Sequence, residues 1–172
     1  MNKCVFLDRD GVLNIDDVNY TYKLERFFIM DGVIEALKKL KDHGYLLIVI
    51  TNQSGIAKGV YTHEDVAICH EYLQEQCGNA IDQIYYSQYH ETVTESLTKK
   101  PGTLLFEKAI SKFNIDISQS WMVGDMERDL VPAKKFGLKT ILIPHRIPDS
   151  SFADYKADSL LIASDIILGY NN

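Results

Sequence analysis

The chain has 172 residues, 46% hydrophobic and 24% charged, a balance that builds a globular core and excludes intrinsic disorder. A formal net charge of −6 argues against general attraction to nucleic acid or an anionic membrane, so any phosphate site has to be local. Cys4, Cys69 and Cys77 give neither a disulfide framework nor a CxxC pair, and no apolar run approaches a membrane span, so a cytoplasmic protein with reduced thiols is expected.

In chain order, residues 4–7 form a short apolar run suited to a buried strand. Residues 32–42 place Val33, Ala36, Leu37 and Leu40 at helical spacing with lysines on the other face, and Gly44 ends that helix. Residues 45–50 are continuously apolar, as in a strand covered on both faces. A second helix starts at Thr62 or His63 and stops at Gly78, and residues 83–87 make a third strand. A helix over 102–113 lines up Leu105, Ala109 and Phe113; a strand over 121–124, a helix over 130–136 closing at Gly137, and a strand over 139–143 follow. Residues 144–151 read as a loop with two prolines. A short strand near Leu160 and a last helical turn near Ile166 complete the expectation. Strands alternating with helices predict a Rossmann-like three-layer α/β sandwich with a central parallel sheet, as a single domain over 1–172. Ligands of such sheets bind beyond the carboxyl ends of the strands.

The residues at those ends are polar. Asp8-Arg9-Asp10-Gly11 follows the first strand, Thr51-Asn52-Gln53-Ser54-Gly55 the second, and Gly124-Asp125 the fourth, with Asp129 soon after; Lys99-Lys100-Pro101-Gly102 precedes the third helix. Carboxylates gathered on one rim repel each other unless a cation neutralises them, and oxygen donors without histidine or cysteine favour magnesium. A carboxylate, a magnesium ion, a lysine and a hydroxyl suit a phosphoryl group. One carboxylate can attack phosphorus, and a second, two residues on, can protonate the leaving oxygen and later activate water.

Residues 5–13, Val-Phe-Leu-Asp-Arg-Asp-Gly-Val-Leu, resemble the first motif of the haloacid dehalogenase superfamily, and Thr51, Lys100 and Gly124-Asp125 with Asp129 match its other three motifs in order. Residues 6–14, 31–34, 51–57 and 84–86 are similar to the branch that holds D-glycero-D-manno-heptose 1,7-bisphosphate phosphatase and histidinol-phosphate phosphatase. The resemblance implies Asp8 as nucleophile, Asp10 as general acid/base, Thr51 as phosphoryl-binding hydroxyl and Lys100 as the balancing charge. It implies magnesium on the Asp8 carboxylate, the Asp10 backbone carbonyl and Asp125, with Asp129 in support. By position Asn52, Gln53 and Lys99 would face the substrate, with Asp16 and Asn19 contributing from the loop after the first motif.

That branch often holds a structural zinc through Cys-x-His and Cys-x-Cys, where this chain has Ser87-Gln88-Tyr89 and Ser96-Leu97-Thr98. These residue types do not make such a site, so a zinc-free loop is expected, held by hydrogen bonds and by the rings of Tyr86 and Tyr89. Met126 likewise stands where the heptose enzyme tends to have a lysine. The gaps of 43 positions from Asp8 to Thr51 (51−8) and 49 from Thr51 to Lys100 (100−51) leave no room for a large cap domain.

Taken singly, each motif has a plainer reading. Asp8 and Asp10 fit a solvated turn, Thr51-Asn52 an N-cap, Lys99-Lys100 an exposed pair, and Asp125 and Asp129 the charges of a helix N-terminus. A solvated turn does not predict three further motifs in order. The expectation is a magnesium-dependent phosphatase of a small phosphomonoester, a heptose bisphosphate first and histidinol phosphate second, with no nucleic-acid or membrane partner, as a monomer or weak homodimer. A receiver-like phosphoacceptor domain is the rival from another class; it has no need of an acid at Asp10.

Overall fold

The described residues form six strands, β1 (Cys4–Leu7), β2 (Leu46–Asn52), β3 (Gln83–Ser87), β4 (Trp121–Gly124), β5 (Lys139–Leu142) and β6 (Tyr155–Lys156). Five helices alternate with them: α1 (Val33–Asp42), α2 (His63–Gln76), α3 (Leu104–Phe113), α4 (Glu127–Phe136) and α5 (Leu160–Tyr170). The structure, a computed structural model, describes residues 1–170. The strands make one sheet of order β3-β2-β1-β4-β5-β6, and every pairing is parallel.

β1 is buried along its whole length, as a strand must be when helices cover both faces of its sheet. The two-residue side-chain period sorts the core into two layers. Val5 and Leu7, with Leu47, Val49, Trp121 and Val123, pack against α1, α2 and α5. Cys4 and Phe6, with Ile48, Ile50 and Met122, pack against α3 and α4. The three-layer sandwich expected from the alternating elements is therefore present.

Beyond shifts of one or two residues at other ends, the elements differ from the sequence reading in three places. Leu160 opens α5 rather than a strand; the sixth strand is the two-residue β6 upstream of it. β2 runs on through Thr51 and Asn52, which pair in parallel with Tyr86 and Ser87. α4 starts at Glu127, three residues early, because the Asp129 carboxylate reaches back to accept the Met126 N–H (3.0 Å), satisfying a donor that the first turn leaves open. No cap domain interrupts the sandwich: residues 8–32 hold one 3₁₀ turn, Leu24–Arg26, and residues 88–103 hold neither helix nor strand. Among the described residues no helix is long and apolar enough to cross a membrane, and all three cysteines are buried and free.

Candidate active site

The strand order runs outward from β1 and β4 in opposite directions, so the crevice of this sheet opens between their carboxyl ends. Asp8 is the first residue past β1, and its N–H donates to the Val123 carbonyl of β4 (3.0 Å). Asp125 is the first residue past β4. Between them the backbone turns at Gly11, which has φ +85°; a Cβ there would run into the Asp125 carboxylate, so the close approach and the left-handed turn both call for glycine. Thr51 comes from the end of β2 and Lys100 from the segment ahead of α3. Asp8, Thr51, Lys100, Asp125 and Asp129 are all buried.

Lys100 ties this group together. Its Nζ lies 2.9 Å from Asp8 Oδ1 and 2.6 Å from Asp129 Oδ1, and it donates to the Ile50 carbonyl at 2.6 Å. Asn52 fixes the backbone that carries it, accepting the Lys100 N–H (2.9 Å) and donating to the Lys100 carbonyl (3.0 Å). Burial disfavours the ammonium charge, but Asp129 and Asp8 outweigh it and hold the Lys100 pKa above its ordinary value.

Carboxylate oxygens of Asp8, Asp125 and Asp129 lie within 4.8 Å of one another. Burial pushes Asp8 up to about 6, with Asp129 adding to the rise and Lys100 opposing it. Burial, then repulsion from Asp8 and Asp129, pushes Asp125 up to about 8. Both oxygens of Asp125 are buried and accept no hydrogen bond. A carboxylate left bare in the interior is costly unless a cation meets it. With only oxygen donors at hand, the chemistry fits a hard divalent ion such as magnesium. Asp129 differs from Asp125: its Oδ1 pairs with Lys100 and its Oδ2 caps α4, which suits a supporting role better than a ligand's.

Asp10 belongs to a separate network. Arg9, only 1% exposed, donates to Asp10 Oδ1 from Nη2 (2.8 Å) and Nε (3.2 Å), and Asn14 donates to the same oxygen (2.9 Å). Gln53 donates to Asp10 Oδ2 and to Thr51 Oγ1, each at 3.0 Å, while its own carbonyl accepts from the Tyr61 hydroxyl (2.9 Å). Burial alone would raise the Asp10 pKa, but Arg9, Asn14 and Gln53 outweigh it and hold the carboxyl below its usual range. Behind Arg9 stands His70 of α2, whose Nε2 lies 3.3 Å from Arg9 Nη1. Burial, then the Arg9 charge, drives His70 down to about 3. Arginine can only donate, so the neutral ring accepts at Nε2 and carries its proton on Nδ1.

A cavity of about 290 Å³ opens over Asp10, lined among others by Asp16, Tyr20, Asn52, Lys99 and Arg128. Lys99 is ion-paired to Glu91, and Asp16 to Arg146. Gln53 was expected to face the substrate, but its amide is spent on Asp10 and Thr51. Asn52 lines the cavity while its side chain holds Lys100. Asn19 is exposed, is not among the cavity's lining residues, and donates its backbone N–H to Asp17. Sequence reasoning passed over Arg9, Asn14 and His70, the supports of Asp10, together with Arg128; only Arg9, wedged between two acids, carried a local signal.

In the loop without zinc-ligand residues, the Thr98 hydroxyl bonds those of Ser87 (2.9 Å) and Ser96 (2.8 Å), and Ser96 Oγ accepts the Thr98 N–H (3.2 Å). The Tyr86 ring turns toward α2, against His63 and His70, rather than into this loop.

Comparison with known proteins identifies the family. Residues 14–143 match the model of the haloacid dehalogenase-like hydrolases. The D-glycero-beta-D-manno-heptose-1,7-bisphosphate 7-phosphatase of Haemophilus ducreyi is 38% identical over 180 residues, covering 99% of this chain and 98% of its own. The enzyme of that name from Helicobacter pylori is 38% identical over 146 residues, 83% of each chain. In fold, the D,D-heptose 1.7-bisphosphate phosphatase of B. bronchiseptica, solved with magnesium and phosphate, superposes with a TM-score of 0.86 at 20% identity, over 98% of this chain and 99% of its own. The chain belongs to the haloacid dehalogenase-like hydrolase family, among its phosphatases.

Proposed function

We propose that this chain is a magnesium-dependent phosphatase that acts on a sugar bisphosphate of the D-glycero-D-manno-heptose 1,7-bisphosphate kind through an aspartyl-phosphate. The observation that carries this reading is the division between its two leading acids. Asp8 lies buried against Lys100 and the bare oxygens of Asp125, whereas Asp10, two residues on, sits at the cavity floor in its own hydrogen-bonded cradle. The names of the relatives supply the substrate.

Magnesium, held by Asp8, Asp125 and the Asp10 backbone carbonyl, would offset charge on the phosphoryl oxygens. Lys100 and the Arg9 N–H (2.7 Å) hold Asp8 Oδ1 in place, so that one Asp8 oxygen can attack phosphorus while the other would face the ion. The P–O bond to the sugar breaks, and the departing oxygen takes a proton from Asp10. A water then gives its proton back to Asp10 and attacks phosphorus, releasing phosphate and restoring Asp8. Asp10 is held ionised in this structure, the form that the second half requires. For the first half, an incoming phosphate dianion beside it raises its pKa by like-charge repulsion. Thr51, at the end of β2, and Lys100 position the transferred group.

The test is phosphate release from heptose 1,7-bisphosphate in magnesium, with histidinol phosphate alongside. Wild type should turn over the bisphosphate, and Asp8→Asn should lose at least 10³-fold in kcat. Inertness of both proteins toward every phosphomonoester tried would leave the receiver-like reading standing instead. The hydroxyl cluster of Ser87, Ser96 and Thr98 supports a zinc-free loop; protein purified without chelators should carry no stoichiometric zinc by metal analysis.

A further inference from the structure

Tyr61 lies outside the motifs, in the stretch between β2 and α2, yet it reaches into the network around Asp10. Its hydroxyl donates to Gln53 Oε1 at 2.9 Å, and the residue is buried. The ring is fixed from several sides. Tyr22 stacks on it, with centroids 4.9 Å apart and planes 19° from parallel, and Tyr20 meets it edge-on at 5.6 Å. Gly55 passes so close that a Cβ there would collide with the ring. The next residue, Thr62, is the N-cap of α2.

Hydrogen-bond accounting gives the Tyr61 contact a direction. Burial holds the Tyr61 hydroxyl well above the ordinary tyrosine range, so it keeps its proton and donates it to Gln53. The Gln53 carbonyl therefore faces Tyr61, and its NH2 group faces the site. A reversed amide would set a carbonyl oxygen against the Asp10 carboxylate, acceptor against acceptor. The two N–H bonds of Gln53 are taken one each by Asp10 Oδ2 and Thr51 Oγ1, both at 3.0 Å. Thr51 Oγ1 is thus an acceptor toward Gln53, and among the described residues its hydroxyl has no other hydrogen-bond partner. Its own proton must point away from Gln53, where it is free to meet a phosphoryl oxygen.

We propose that Tyr61 is a positioning residue of the reaction: by fixing which end of the Gln53 amide faces the site, it steadies the Asp10 carboxylate and turns the Thr51 hydroxyl proton toward the transferred phosphoryl group. The proposal rests on the phosphatase reading and adds to it a residue that acts only through Gln53.

The experiment measures phosphate release from D-glycero-D-manno-heptose 1,7-bisphosphate and from 4-nitrophenyl phosphate in magnesium. It uses wild type, Tyr61→Phe, Gln53→Met and the double variant, each assayed where circular dichroism reports a folded protein. Tyr61→Phe keeps the ring and its stacking and removes only the hydroxyl. It should lower kcat about tenfold on both substrates with KM within about threefold of wild type, because Lys100 and the ion still hold the phosphate. Gln53→Met, which removes both N–H donors, should lose at least as much. In that background Tyr61→Phe should cost nothing further, since the two residues act as one unit. Tyr61→Phe with wild-type kcat would leave the ring as packing alone and overturn the proposal. So would a loss confined to KM, or an undiminished loss from Tyr61→Phe when Gln53 is already Met. If the double variant does not fold, Tyr61→Phe decides by itself. Wild type inert on both substrates would sink the phosphatase reading and this role with it; wild type active and matched by Tyr61→Phe sinks the positioning role alone.

Discussion

Asp125 keeps two oxygens in the interior with nothing to bond, and Asp8 and Asp129 crowd it with like charge. Its raised pKa makes stability depend on pH in the absence of metal. Below about pH 4 the carboxyl is protonated both folded and unfolded; between about pH 4 and pH 8 the folded state holds a proton that the unfolded chain has released. Folding stability from this group is therefore fully present at low pH and is lost as pH rises through about 8. In EDTA, the melting temperature of wild type relative to Asp125→Asn should fall steadily from pH 5 to pH 8. Millimolar magnesium should reverse the fall for wild type and not for the variant, since an ion that binds only the folded state stabilises it by mass action. A wild-type curve parallel to that of Asp125→Asn at every pH, with and without magnesium, would remove Asp125 from the metal site. Asp125, like Asp8 and Lys100, was legible in the sequence because it directly follows or adjoins an apolar element, and parallel strands all deliver their ends to one rim. Gln53 shows the limit. Its place in the motif says that it lies near the site, but only the positions of Asp10, Thr51 and Tyr61 reveal that its amide is already taken.

A helix can serve the site without supplying a residue that touches substrate. α2 starts at a capping box, in which Thr62 Oγ1 accepts the Asp65 N–H (3.2 Å) and Asp65 accepts the Thr62 N–H (2.8 Å). That start sets which face turns inward, and Val66, Cys69, His70 and Leu73 share the buried side. His70 thereby meets the Arg9 guanidinium, which in turn positions Asp10. His70→Phe keeps a ring but leaves a buried N–H of Arg9 without an acceptor, at about 1–3 kcal/mol of stability. It should also lower kcat with little change in KM, because Asp10 loses its orientation while the phosphate contacts remain; His70→Gln, which restores an acceptor, should recover most of both. A His70→Phe enzyme with wild-type kcat would show that Arg9 holds Asp10 without help from α2. The sequence could not disclose this role. A lone histidine on an amphipathic helix reads as packing, and its partner lies 61 positions away.

At the scale of the whole molecule, site and core are separated in space, and this separation can be measured. The sheet divides the interior into two apolar layers, while the reacting groups occupy the rim. The plan was readable because long apolar strands such as β2 and amphipathic helices such as α1 differ in period and length. It failed near Leu160, where the run Leu-Leu-Ile-Ala carries no polar punctuation, and two-residue β6 is too short to show alternation. Phe106 of α3 fills the layer beneath α3 and α4, between Phe6 (centroids 5.3 Å) and Phe136 (6.2 Å), and is wholly buried. Phe106→Ala opens a cavity that neighbours on a sheet can only partly close, at about 3–5 kcal/mol. For a chain of this size that lowers the melting temperature by roughly 10 °C. Assayed well below that temperature, kcat should stay within about threefold of wild type, since Asp8, Asp10, Lys100 and Asp125 are anchored by strand ends and by each other rather than by this ring. A loss in kcat of more than tenfold at a temperature where circular dichroism still reports a folded protein would mean that the layer under α3 positions Lys100, and that rim and core are mechanically coupled.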